Sequence, residues 1–138
     1  MLFRSYDSNK MWEPNVMMVK TSLDWLKENP SKKMIHIGSC LEYGIKERAA
    51  NEQDFINPVD MYSATKGMAT LMCQGYARQF GLDVTIARPY SIFGKYERPH
   101  RLFPRLWQAF NMDVPMTLYA GEHDFIYIDD FEIGRAHV

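Results

Sequence analysis

Two short β-rich runs flank a long stretch with helical spacing, and this strand, helix, strand order is what most narrows the fold. The first run, Lys33 to Gly38, is almost continuously apolar and is bounded by Pro30, Ser31 and a glycine, which fits a strand covered on both faces in a parallel sheet. The second, Leu82 to Arg88, is rich in β-branched residues and ends at Pro89. Between them Asp60 is a suitable N-cap. Met61, Thr65, Met68, Ala69, Met72, Cys73 and Tyr76 then hold a helical pattern as far as Gly81, a stop residue. Such a crossover is nearly always right-handed, and open parallel sheets collect ligands where their strands end, which is where Ser39 and Pro89 lie.

Upstream, from about residue 9 to 28, Val16, Val19, Leu23 and Leu26 recur on one helical face, widened by Met17, Met18 and Trp25. Pro14 starts or kinks this helix, and Asn29 with Pro30 ends it. Residues 39–60 read as a loop over the sheet edge and residues 89–98 as another. A third helix is expected over Arg101 to Asn111, strands at 116–119 and 125–128, and a helix capped by Asp129 and Asp130.

With 138 residues, 46% of them hydrophobic, the chain holds enough apolar material for one domain. A formal net charge of -1 gives no electrostatic case for nucleic acid or an anionic membrane, so a small molecule is the expected partner. No apolar run approaches a membrane span and the first residues lack a signal-peptide core, so the expected location is cytoplasmic. Cys40 and Cys73 form no C-x-x-C pair, and His36, His100, His123 and His137 lack metal-ligand spacing; neither a disulfide framework nor a metal site is expected.

Tyr62 and Lys66 stand one helical turn apart on one face. A phenol of pKa about 10 is a poor base until a nearby cation stabilises its phenolate, and Lys66 is placed to be that cation. Tyr6 and Lys10 repeat the spacing, so the pair decides nothing alone.

The order of features over about residues 9 to 131 resembles the extended short-chain dehydrogenase/reductase family, the NAD-dependent nucleotide-sugar epimerases and dehydratases. The stretch Ile37-Gly38-Ser39-Cys40-Leu41-Glu42-Tyr43-Gly44 is similar to that family's strand with a hydroxyl residue four places before Tyr-Gly. Its Tyr-x-x-x-Lys follows about two dozen residues later, which selects Tyr62 with Lys66 over the decoy. Arg88-Pro89-Tyr90-Ser91-Ile92-Phe93-Gly94 resembles its cofactor-facing loop, and His123 to Asp130 its later aromatic and acidic segment.

The resemblance implies an α/β fold: the C-terminal half of a Rossmann-type, doubly wound parallel sheet over residues 1–98, then the start of a small substrate-binding region over 99–131. It also implies hydride transfer between a sugar carbon and NAD or NADP. Tyr62 would be the general base, Lys66 would lower its pKa and hold the nicotinamide ribose, and Ser39 would hydrogen-bond the reacting oxygen. Asn15 would orient Lys66 through water, although by residue type it is equally an ordinary helix-start residue. Pro89 and Tyr90 would face the cofactor. Ser91, Arg101 and Leu102 would meet the nucleotide sugar, Arg101 being equally compatible with a solvated surface. The helices near 9–28 and 60–80 would pair across a homodimer, a role their Met-rich faces suit.

Departures from the pattern matter too. Family dehydratases carry Asp-Glu directly after the hydroxyl residue, where this chain has Cys40 and Leu41. Glu42 stands one place later, and on a strand-like exit that shift turns a side chain the other way. The expectation is therefore an epimerase or reductase, with a dehydratase or a non-catalytic NAD(P)-binding sensor as alternatives. Ser91 replaces the usual Asn, and His123 a phosphate-binding Arg. No G-x-x-G-x-x-G occurs in the sequence, so the chain reads as an internal fragment. Residues 132–138 back-translate to the start of a common sequencing adapter and are read as a non-native tail.

Overall fold

The computed structural model describes residues 8–118, 121 and 123–136. The chain divides into two compact units, Met1–Pro89 and Tyr90–Val138.

In the first unit a helical run opens with α1 (Ser8–Trp12), widens into a π-helical turn at Glu13–Met17, and continues as α2 (Met18–Glu28). Pro14 explains the widening. It has no N–H to donate and its ring crowds the preceding turn; here the Met18 N–H reaches back to the Glu13 carbonyl, one residue further than in an α-helix. The expected kink is thus a change of helical pitch.

The strand β1 (Lys33–Ile37) pairs in parallel with β2 (Asp83–Ala87), Lys33 opposite Asp83 and Ile37 opposite Ala87. Between them runs α3 (Met61–Phe80). The Asp60 carboxylate accepts the Ser63 N–H at 2.7 Å as N-cap, and Gly81 takes the left-handed conformation (φ 65°) that ends the helix. Leu23, Leu26, Ala69, Cys73 and Leu82 are buried in this unit. The Tyr76 hydroxyl donates to Asp24 at 2.7 Å, which ties α3 to α2.

Only one face of the strand pair is covered among the described residues. His36 is buried, whereas Ile35, pointing the opposite way, is 39% exposed, so the expectation of cover on both faces does not hold among the described residues. Met17, Met18 and Trp25 also lie exposed, outside the buried stripe of α2.

The second unit is smaller. Here β3 (Ser91–Phe93) pairs in parallel with β4 (Phe125–Tyr127), and α4 (Leu102–Met112) and α5 (Ile128–Ala136) complete it. Phe93, Phe103, Phe125 and Tyr127 form its aromatic cluster, with the Phe93 and Phe103 rings stacked at 4.0 Å. Two expectations are corrected. The 89–98 loop contains a strand, because pairing to the distant β4 satisfies its backbone. Residues 114–118 form no strand; Tyr119 and the Ala120 and Glu122 of the expected turn lie outside the described residues.

Candidate active site

The parallel register ends where the chemistry is expected to begin. Past Ile37 the Gly38 N–H still reaches the Ala87 carbonyl at 2.7 Å, and the Cys40 N–H reaches the Pro89 carbonyl at 3.1 Å. Ser39 and Pro89 are thereby joined at one sheet edge.

The chain does not leave β1 as an open loop. It folds at once into a 3₁₀ turn, Cys40–Tyr43, capped by Ser39. The Ser39 hydroxyl oxygen accepts the Leu41 N–H at 3.2 Å, which leaves its own hydrogen as a donor. The Ser39 N–H donates to Glu42 Oε1 at 2.8 Å, closing a reciprocal capping box.

Tyr62 and Lys66 sit in the first turns of α3, both half-buried. The Lys66 ammonium donates to the Ile37 carbonyl at 3.0 Å, which places it two residues from Ser39. Burial pushes the Lys66 pKa down and the Glu42 charge opposes this. An ammonium has three donors, so the Ile37 bond leaves two for other acceptors. Asn15 donates to the Thr65 hydroxyl at 3.0 Å, next to Lys66 in sequence.

Among the other expected residues, Tyr90, Ser91, Arg101 and Leu102 belong to the second unit. The Ser91 N–H donates to the Asp124 carbonyl at 3.1 Å within the strand pairing. Arg101 precedes α4 and is exposed, donating to Glu97 at 3.2 Å; Leu102 opens that helix. His123 is exposed, its ring tilted against Phe125 at 5.9 Å. Among the described residues no group of His, Cys, Asp and Glu is placed to hold a metal ion, and no helix is long and apolar enough to cross a membrane. A cleft of about 510 Å³ lies between α3 and the 52–58 segment and reaches Arg88, but Ser39, Tyr62 and Lys66 do not line it.

Residues 3–133 match the family described as NAD dependent epimerase/dehydratase. The chain belongs to this family. Among its epimerase/dehydratase relatives is an uncharacterised UDP-glucose epimerase of Bacillus subtilis, 25% identical over 84% of this chain and 38% of the relative. A dTDP-D-glucose 4,6-dehydratase of Dictyostelium discoideum is 27% identical over 89% of this chain and 32% of its own length. The crystal structure of a UDP-glucuronic acid 4-epimerase from Bacillus cereus, in complex with NAD, superposes with a TM-score of 0.83 at 28% identity, covering 99% of this chain and 46% of that one. The chain thus spans less than half the length of these epimerase/dehydratase relatives. Their fold is the Rossmann-type parallel α/β arrangement that the resemblance implies, and the strands here are parallel as it requires.

Glu42 and Arg88 carry more of this site's architecture than their sequence positions suggest. Glu42 is fully buried; its second oxygen accepts Arg88 Nε at 2.8 Å, and Arg88 Nη1 donates to the Tyr43 hydroxyl at 2.9 Å. Burial alone would lower the Arg88 pKa, and its hydrogen bonds to Tyr43 and Glu42 together with the Glu42 charge outweigh it, so the guanidinium stays charged. The sequence did hold a signal for Glu42: Ser39-x-x-Glu42 is the spacing of a capping box.

Proposed function

We propose that the full-length protein is an NAD-dependent nucleotide-sugar epimerase or reductase, in which Tyr62, Lys66 and Ser39 move and stabilise the proton that accompanies hydride transfer. The observation that carries this reading is the Lys66 ammonium bonded at the end of β1, one turn from Tyr62 and two residues from Ser39. The donor set suits the nicotinamide ribose end of a dinucleotide, since Lys66 has N–H groups beyond the one given to Ile37. NAD, when bound, supplies the hydride acceptor and donor.

The remaining steps belong to the chain. The positive charge of Lys66 stabilises the Tyr62 phenolate, so that Tyr62 takes the proton of a sugar hydroxyl and returns it when the carbonyl is reduced. Ser39, its oxygen engaged by the Leu41 amide, donates its hydrogen to the same reacting oxygen.

Elimination of water needs a further acid and base, and the residues after Ser39 do not supply them. Burial pushes the Cys40 thiol pKa up, Leu41 is apolar, and both oxygens of Glu42 are engaged, which supports epimerisation or reduction over dehydration.

The test is Tyr62→Phe in the full-length protein, with NAD and UDP-sugars. Turnover is expected to fall by about 10²- to 10⁴-fold. Unchanged turnover removes Tyr62 from the mechanism, and a dehydrated keto-sugar product would identify a dehydratase.

A further inference from the structure

The carboxylate of Glu42 is the fully buried acidic group at the carboxyl end of β1, and its two oxygens serve different parts of the chain. One holds the amide of Ser39 at 2.8 Å, and the other holds the guanidinium of Arg88, the residue that follows β2 and precedes Pro89. The Arg88 guanidinium also lies over the Tyr43 ring, 4.9 Å from its centroid, while bonding the Tyr43 hydroxyl. The Glu42 carbonyl accepts the Asn57 N–H at 2.8 Å, which ties the turn to the segment before α3. No side chain stands between the carboxylate and β1, because residue 38 is glycine and a Cβ there would overlap Glu42 Oε1.

An isolated ion pair buried to this degree gains little stability over a well-packed apolar pair, because desolvation offsets most of the attraction. What it does provide is directional fixation. A carboxylate bonded to one amide and one guanidinium has few alternative orientations, and the amide it holds belongs to Ser39, whose hydroxyl is proposed above to donate to the reacting oxygen.

We propose that Glu42 is a positioning residue: its side-chain oxygen holds the Ser39 amide and so fixes where the Ser39 hydroxyl is presented, while Arg88 balances the charge of the buried carboxylate. This rests on the role proposed above for Ser39. It assigns no proton transfer to Glu42, whose oxygens are spent on these bonds.

Removing one partner would strand a buried charge and could unfold the protein, so the test compares two paired variants. Glu42→Met with Arg88→Met has no buried charge and no acceptor for the Ser39 amide. Glu42→Gln with Arg88→Met has the same net charge and similar volume, but keeps an acceptor oxygen.

Amide hydrogen exchange by NMR, on this chain, is the first readout. In the Met/Met pair Ser39 is expected to exchange at least about tenfold faster than in the Gln/Met pair, with Met34 to Ile37 unchanged. The second is turnover of the full-length protein. The Met/Met pair should lose about ten- to a hundredfold in kcat with KM for NAD unchanged, and the Gln/Met pair should stay within about threefold of wild type.

Equal Ser39 exchange, or equal kcat, in the two folded pairs would overturn the proposal. So would loss of fold in both, since the ion pair would then be holding the whole unit. Tyr62→Phe run alongside separates the two readings: if it keeps full turnover the proposed function fails, and if it is inactive while Met/Met is normal, only the positioning role fails.

Discussion

The Lys66 ammonium on α3 donates to the backbone carbonyl of Ile37, the last residue of β1, at 3.0 Å across 29 positions of sequence. One bond therefore ties the helix that carries Tyr62 to the strand end that presents Ser39. It also holds a partly buried cation where burial works against its charge and Glu42 supports it.

Replacing that cation should be visible in the pH profile of the full-length protein. In the role proposed for Lys66, Lys66→Met removes the charge that would stabilise a Tyr62 phenolate, so the acid limb of kcat should move to higher pH. Turnover near neutral pH should fall about 100-fold and recover in part as the medium is made alkaline. A uniform loss with an unmoved acid limb would mean that Lys66 only holds the helix to the strand.

His36 gives a stability prediction for this chain itself. It is buried on β1 with Nε2 unpaired among the described residues, and burial, together with the Lys66 and Arg88 charges, pushes its pKa below the usual 6.5 against the opposing pull of Glu42. As pH falls below 6.5 the unfolded chain takes up a proton before the folded one. Stability is therefore intact above that value and is lost as pH falls toward the depressed folded pKa. His36→Leu should flatten the loss below pH 6.5 and leave stability at neutral pH equal or higher, since it removes an unpaired buried nitrogen. Urea midpoints measured at three pH values check both statements.

The parts of the fold that were legible are those whose signals are local. Asp60 and Gly81 bracket α3 because cap chemistry depends on a few adjacent residues, and β1 and β2 read as strands from composition alone. The strand β3 was not legible. It is three residues long, and its partner β4 lies beyond an intervening helix. The direction of Glu42 departs from strand alternation for a different reason: past Ser39 the chain turns into a 3₁₀ turn whose period brings the third residue back onto the cap. The same turn explains why Leu41 is exposed and Glu42 buried.

Binding of NAD by this chain should be weak. In the roles proposed for them Lys66, Tyr62 and Ser39 serve the nicotinamide end, and the sequence contains no G-x-x-G-x-x-G to hold a pyrophosphate on backbone N–H groups. Calorimetry with NAD should give no saturation below roughly millimolar concentrations, where affinity is about 4 kcal/mol. A micromolar Kd would show that these residues form a fuller dinucleotide site than the proposed one.

Gly38 and Gly75 should respond to alanine in opposite directions. At Gly75, on the exposed side of α3, a Cβ meets nothing within 4 Å, so Gly75→Ala gains helix propensity and should stabilise by about 0.4–1 kcal/mol. At Gly38 the new methyl would overlap Glu42 Oε1 and come within 3.3 Å of Arg88 Cγ. A carboxylate on a long side chain can usually swing aside, but this one is bonded to the Ser39 amide and to Arg88, so moving it breaks both bonds inside a buried cluster. Gly38→Ala should therefore destabilise by about 1–3 kcal/mol, and it should speed exchange at the Ser39 amide more than at the β1 amides. Thermal melts of the two variants with exchange at Ser39 provide the check, and a neutral Gly38→Ala with a protected Ser39 amide would show that the Glu42 carboxylate has room to move.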